Sequence, residues 1–143
     1  MTIGRSSNWA NGAAGAIFLS NGDSTRGRES LMITGPGKRR DPRRPLQLSQ
    51  IATSYYFESN YVATIEAAKR AIMLYPDHFT PYCWLAAAHA QRGCGTDAHA
   101  ALDRASRASL LGVRHYADIG SRLWRTVDYQ HFLDGLRIAG LRL

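Results

Sequence analysis

A pattern that recurs after 34 residues constrains the fold of this chain more than any other feature. In the first copy Leu48 is bulky, Ile51 apolar, Ala52 small and Tyr55 aromatic. The second copy begins at Tyr82 and has residues of similar kind at the equivalent positions. The identical pairs at this offset are Ala52/Ala86, Ala67/Ala101, Arg70/Arg104 and Ala71/Ala105. Since the apolar residues follow helical spacing, the period predicts pairs of helices that stack in series.

Local residues predict where the two helices of the first copy begin and end. Pro45 suits the first turn of a helix, which we expect over residues 46–58. Ser59-Asn60 favours a turn, because both side chains compete for backbone hydrogen bonds. The second helix is predicted over residues 61–75, since Pro76 disfavours the helical conformation of the residue before it.

The second copy has equivalent local features. Thr80 is suited to be the N-cap of a helix over residues 81–92. The Gly-Cys-Gly sequence that follows favours a turn, and Thr96 is suited to cap a helix over residues 97–108. This copy lacks the proline that ends the first one, so its end is less sharply defined.

The C-terminal residues predict one more, less regular helix pair. Gly112 interrupts the pattern, and we expect a helix within residues 113–124. Asp128 is placed to cap a last helix over residues 129–139, which Gly140 would end. Such a pair closes the stack. If it did not pack, an apolar face would stay open and the chain would self-associate.

The N-terminal arm differs in composition from the rest. Its glycine, serine and asparagine residues leave little apolar surface to bury, so we expect mostly disorder, with a short helix near Ala13–Leu19 or Arg28–Ile33 as the alternative. The predicted fold is all-α: a short α-solenoid of antiparallel helix pairs behind a disordered arm. Its parts are the arm (1–44), two repeats (45–78 and 79–110) and a degenerate third helix pair (111–143).

The positive charge is concentrated in the arm. Residues 1–44 have eight basic against three acidic side chains, out of a net charge of +7 for the chain. The basic patch consists of Lys38, Arg39, Arg40, Arg43 and Arg44. A solvated linker is the favoured interpretation. Binding of nucleic acid or another anionic surface is the alternative, which the lack of interleaved aromatic residues disfavours.

The period and its residues resemble the tetratricopeptide (TPR) repeat. More narrowly, Tyr61–Ala71, Ala98–Ala105 and His131–Leu141 are similar to the TPR tail of bacterial class III adenylate/guanylate cyclases and of related winged-helix regulators. The resemblance implies a detached regulatory tail, since the arm is too short for a cyclase catalytic domain. Repeats of this kind bind proteins or peptides.

In TPR proteins the partner lies in a groove lined by the first helix of each pair. The positions of this chain that match are Leu46, Ser49, Thr53, Tyr56, Phe57, Thr80, Cys83, Ala87, Ala90 and Gln91. Some members of the family clamp a terminal carboxylate with Lys, Arg and Asn. Here Ser49, Thr53, Cys83 and Ala87 stand at those positions, so we expect no such clamp but a helical or extended apolar partner.

We expect neither enzymatic activity nor a cofactor. The histidines and cysteines are not spaced as in recognised metal motifs, and His89 occupies an aromatic core position of the repeat, so no metal site is predicted. The sequence has no apolar run long enough to span a membrane, so we expect that the protein does not interact with one. The two cysteines do not form a disulfide framework, which favours a reducing, cytoplasmic location.

Overall fold

The computed structural model describes the backbone of residues 5–33 and 42–142, and the side chains from residue 12 onward in those ranges. Those ranges form helices and no strand, which confirms the all-α class. The helices are α1 (Arg5–Ser20), α2 (Ser24–Ile33), α3 (Arg44–Phe57), α4 (Tyr61–Leu74), α5 (Phe79–Gln91), α6 (Gly95–Leu123) and α7 (Thr126–Ala139). None of them is both long enough and apolar enough to cross a membrane.

The helices pack as a continuous stack. Each helix from α1 to α5 contacts the next one, and α6 contacts both α5 and α7. In addition, α3 contacts α5, and α5 contacts α7, so the odd-numbered helices lie side by side. Buried alanines such as Ala52, Ala68 and Ala86 let the helix backbones approach closely. Neighbour-to-neighbour packing of this kind is typical of helical repeat arrays.

The prediction of a disordered arm is wrong for residues 5–33, where α1 and α2 form a helical hairpin. Gly15 and Gly27 lie where the two helices touch, and a Cβ on either glycine would lie 3.1 Å from the carbonyl oxygen of the other. Leu19 and Leu31 are buried beside them. These glycines therefore permit close helix contact, although the abundance of glycine in this part of the sequence favours disorder.

Several helix ends agree with local expectation and three do not. Pro45 lies in the first turn of α3, and the Asn60 side chain accepts a hydrogen bond from the backbone at the start of α4. Gly140 ends α7 in the left-handed conformation, with φ of 116°. The cap of α5 is His78 instead of Thr80, and α7 begins at Thr126, before the predicted cap Asp128. The start of α6 also differs, since its N-cap is Cys94 instead of the predicted Thr96.

The break expected at Gly112 lies three residues earlier. Ser109 has non-helical dihedral angles, and α6 bends there into two segments, 95–108 and 110–123. Ser109 Oγ accepts a hydrogen bond of 2.9 Å from the backbone N–H of Gly112. Gly112 itself is helical, and a Cβ there would lie 2.7 Å from the Phe79 ring. The glycine thus allows close packing against α5 without breaking the helix.

Candidate functional site: the groove along α3 and α5

The predicted groove residues do lie together, because α3 and α5 pack side by side. Most of them are buried within the chain itself. The buried ones are Ser49, Thr53, Tyr56, Thr80, Cys83, Ala87 and Ala90; Phe57 and Gln91 are half-buried, and Leu46 is exposed. The surface that was expected to face a partner is therefore covered by other parts of the same chain.

Helix α7 covers the central part of this groove. The Tyr56 hydroxyl donates a hydrogen bond of 2.6 Å to the backbone oxygen of His131, and the Gln91 side chain donates one of 3.1 Å to the Tyr56 hydroxyl. Gly135 lies directly against α5, since a Cβ there would lie 2.9 Å from the Cβ of Ala87. Because Gly135 has no side chain, the α7 backbone can pack closely against α5 in the groove.

The second segment of α6 covers the neighbouring part. The Trp84 indole donates a hydrogen bond of 3.1 Å to the Tyr116 hydroxyl. Trp124, at the end of α6, packs edge-on against Phe57 with ring centroids 5.4 Å apart. The second segment of α6 and helix α7 therefore cover the groove residues between them.

An aromatic cluster holds the covering segment in place. Trp84 lies at its centre, stacked on Phe132 with centroids 4.2 Å apart and edge-on to Trp124 at 5.5 Å. Trp84 and Phe132 are fully buried. Sequence reasoning did not place Trp84, Tyr116 or Trp124 in the groove. No local pattern indicates this cluster, because its members come from helices that lie far apart in the sequence.

His131 is the polar residue at the edge of this cluster. Its ring stacks on Tyr56 with centroids 4.2 Å apart, and its Nε2 lies 2.7 Å from the Tyr61 hydroxyl. Burial lowers the pKa of His131, which outweighs the opposing effect of Asp128 and Asp134. The imidazole is therefore predominantly neutral near pH 7.

The groove has no activated nucleophile among the described residues. Burial raises the pKa of the Cys83 thiol to about 12, so it stays protonated and unreactive. Burial also raises the pKa of the Tyr56 and Tyr116 hydroxyls, which act here as hydrogen-bonding groups. What the arrangement can do is hold an apolar helix between aromatic side chains.

The basic patch is described only in part. Lys38, Arg39 and Arg40 lie outside the described residues. Arg43 is the N-cap of α3 and Arg44 its first residue. Arg44 also lines a separate cleft of about 410 Å³ between α2, α3 and α4, together with apolar residues that include Ile51.

Three potential metal ligands that sequence spacing did not group together meet at another place, the turn between α5 and α6. A ring nitrogen of His89, the Cys94 sulfur and a carboxylate oxygen of Asp97 all lie within 4.8 Å of one another. His89 is only half-buried there, so it is not the core residue that the repeat pattern predicts. The spacing of these three residues along the chain gives no reason to group them as ligands, and only the fold brings them together.

No protein-family profile matches the chain, and no curated protein is significantly similar to it.

Proposed function

We propose that this chain is a non-catalytic, TPR-like interaction module whose groove along α3 and α5 binds an amphipathic helix. The main observation in favour of this proposal is that α7 packs in the groove, where it contacts Tyr56 of α3 and Ala87 of α5, and Gln91 of α5 donates a hydrogen bond to Tyr56. A surface that accepts one helix through aromatic and small residues has the chemistry to accept another of the same pattern. The protein then serves as a regulatory or scaffold segment.

The face of α7 that is buried indicates which partner would fit. Phe132, Gly135, Leu136 and Ala139 are buried and lie three or four residues apart, as on one side of a helix. A competing helix therefore needs an aromatic residue, then a small residue three positions later, and apolar residues on the same side. Because α7 is tethered to the groove, its effective concentration is high and a free partner competes poorly until α7 is loosened.

The first prediction tests this competition with the variant Gly135→Ala. The added Cβ would lie 2.5 Å from the Tyr56 hydroxyl and 2.9 Å from the Cβ of Ala87, so α7 should be displaced. Overpacking of this size costs about 1–3 kcal/mol. A labelled peptide with the α7 sequence should bind the variant about tenfold more tightly than the unmodified chain, as measured by fluorescence anisotropy.

Ile138→Ala is the matched control, because Ile138 belongs to the same helix but is 59% exposed. That variant should bind the peptide as weakly as the unmodified chain does. A peptide that itself contains the Gly135→Ala change should not bind either variant. If the Gly135→Ala protein keeps its helical circular dichroism and yet binds the α7 peptide no better, the groove is not a helix-binding site.

The resemblance to cyclase and regulator tails defines a narrower form of the same proposal. In it, this chain is a detached C-terminal regulatory tail that works in a reducing, cytoplasmic compartment. The free state of both cysteines, buried Cys83 and half-buried Cys94, supports such a compartment. The genomic sequence upstream of Met1 tests the kinship: a cyclase or winged-helix domain encoded in the same frame would support it, and an unrelated gene would count against it.

Nucleic-acid binding through the basic patch is the competing function. It rests on the sequence, where five basic residues lie between Lys38 and Arg44. Such binding would weaken steeply as salt rises and would be lost when residues 1–44, which include the whole basic patch, are deleted. Helix binding in the groove buries apolar surface and should change little with salt.

A further inference from the structure

The turn between α5 and α6 brings three ligand-type side chains to one place. His89 lies in the last turn of α5, Cys94 is the N-cap of α6, and Asp97 lies in the first turn of α6. The backbone N–H of Cys94 donates a hydrogen bond of 2.9 Å to the carbonyl of His89, so the turn is closed and well defined. One ligand atom from each of the three side chains lies within 4.8 Å of the other two.

His89 has an unsatisfied polar atom. Among the described residues, its Nδ1 is the one buried side-chain nitrogen or oxygen without a hydrogen-bond partner. Leaving a buried polar atom unpaired costs about 1–3 kcal/mol, and such atoms in native proteins call for an explanation such as a bound ion.

The spacing fits a small tetrahedral ion after a modest adjustment. Zinc binds imidazole nitrogen, thiolate sulfur and carboxylate oxygen at about 2.0–2.3 Å, which puts neighbouring ligand atoms about 3.3–3.6 Å apart. The 4.8 Å limit of the cluster exceeds this by roughly 1 Å. Asp97 is exposed, so rotation of its side chain can bring its carboxylate closer to the other two ligands without moving the core.

The charges around the cluster select the kind of metal. A Cys94 thiolate and the Asp97 carboxylate together carry two negative charges, which match a divalent cation. Lys69 and Arg92 lie close enough to act on His89 and repel any cation. A hard ion such as Mg²⁺, held by charge alone, is thus disfavoured, whereas thiolate and imidazole ligands favour borderline-soft Zn²⁺.

The turn also leaves room for a fourth ligand. Neither Gly93 nor Gly95 has another residue within 4 Å of the position that a Cβ would take. Water can therefore reach the cluster from the side of the glycines and complete the coordination.

We propose that His89, Cys94 and Asp97 form a zinc site that clips the end of α5 to the start of α6, with a water molecule as fourth ligand. The site is separate from the groove and does not depend on the proposed function. Its chemistry is structural: binding releases the thiol proton, and the metal bridges the ends of two helices that also pack against each other.

Cobalt titration of the reduced full-length chain tests the site. One Co²⁺ per chain should produce the visible bands of tetrahedral cobalt and a near-ultraviolet band from thiolate-to-cobalt charge transfer. Zn²⁺ should displace the cobalt and bleach both. Cys94→Ser should abolish the charge-transfer band, and Asp97→Asn should weaken binding by about tenfold or more.

Cys83→Ala is the matched control, because Cys83 is the other cysteine and is fully buried in the core. It should leave both bands unchanged. Circular dichroism checks that each variant is folded, and Asp97→Asn, at an exposed position, supplies a test even if Cys94→Ser is unstable. The proposal is overturned if the charge-transfer band persists in Cys94→Ser, if Asp97→Asn binds as tightly as the unmodified chain, or if Co²⁺ binds only at millimolar concentration.

Discussion

Tyr56 connects the repeats to the C-terminal helix. Its ring stacks on His131 and meets Trp84 edge-on, with centroids 5.4 Å apart. Its hydroxyl donates to the His131 carbonyl and accepts a hydrogen bond from Gln91. A buried tyrosine can pack against other rings and form hydrogen bonds at the same time, because its ring is apolar and its hydroxyl has hydrogen-bond partners there. Residues of this kind decide how firmly α7 is seated.

At the same scale, the second prediction concerns the pH dependence contributed by His131. Its pKa is lowered by burial from the ordinary value of 6.5, so the unfolded chain takes up a proton more readily than the folded one. The stabilisation is fully present above pH 6.5 and is lost as the pH falls through the lower, folded pKa. His131→Gln should therefore lose less stability than the unmodified chain between about pH 7.5 and pH 5.

Urea unfolding at the two pH values measures the effect. His115→Gln is the control, since His115 is exposed, and it should show the same pH dependence as the unmodified chain. Some dependence should remain in His131→Gln, because burial also lowers the pKa of His78 and His89. An unchanged slope in His131→Gln would show that the imidazole is not desolvated on the groove.

At the scale of a single element, α6 performs two tasks because it bends. Its first segment packs on α5 as the second helix of a repeat. Its second segment turns at Ser109 and brings Tyr116 and Trp124 to the groove. A straight helix of 29 residues would carry these side chains away from α3. The bend therefore determines whether the groove is covered.

The third prediction is that Ser109→Ala weakens the bend. The Ser109 hydroxyl accepts from the backbone N–H of Gly112, three residues on, as an N-cap does for the second segment. Loss of such a cap costs about 1 kcal/mol, which chemical denaturation can resolve. Ser121→Ala, at an exposed position on the same helix, should change the free energy of unfolding by less than about 0.5 kcal/mol. Equal stability of the two variants would contradict this role for Ser109.

For the whole molecule, stability should vary along the stack. The pair α5 and α6 has packed neighbours on both sides, whereas the hairpin α1–α2 rests mainly on α3. Arg28 links that hairpin to α3: its guanidinium lies 4.2 Å from the centroid of the Tyr55 ring, 3.3 Å from the Ser54 hydroxyl, and in an ion pair with Glu58. In a linear array, loss of one such link weakens the terminal unit more than the centre.

The fourth prediction follows for Arg28→Ala. Hydrogen bonds to charged groups contribute about 1.5–3 kcal/mol, so amide protons of α1 and α2 should exchange about tenfold faster or more. Those of α5 should be unaffected. Arg26→Ala is the control, because the Arg26 side chain is 69% exposed and contacts only groups of the hairpin itself among the described residues, namely Asp23 and the Phe18 ring. Equal acceleration in all helices would indicate that the stack unfolds as one unit.

Local features of the sequence predicted much of the secondary structure. Pro45, Asn60 and Gly140 act at helix ends as expected, because caps and turns depend on residues within a few positions. The same reasoning failed for Gly15 and Gly112, where the glycine serves contact with another helix. From sequence alone a glycine that permits close packing resembles one that breaks a helix.

What the sequence by itself determined is thus the helical class, the 34-residue period and most helix boundaries, since each follows from residues close together in the chain. Only the tertiary structure decided that the groove is covered. The hydrogen bond from Tyr56 to His131 joins residues 75 positions apart, and no local pattern specifies such a contact. The cluster of His89, Cys94 and Asp97 also depends on how the turn folds, because the direction of three side chains follows from the backbone path between two packed helices.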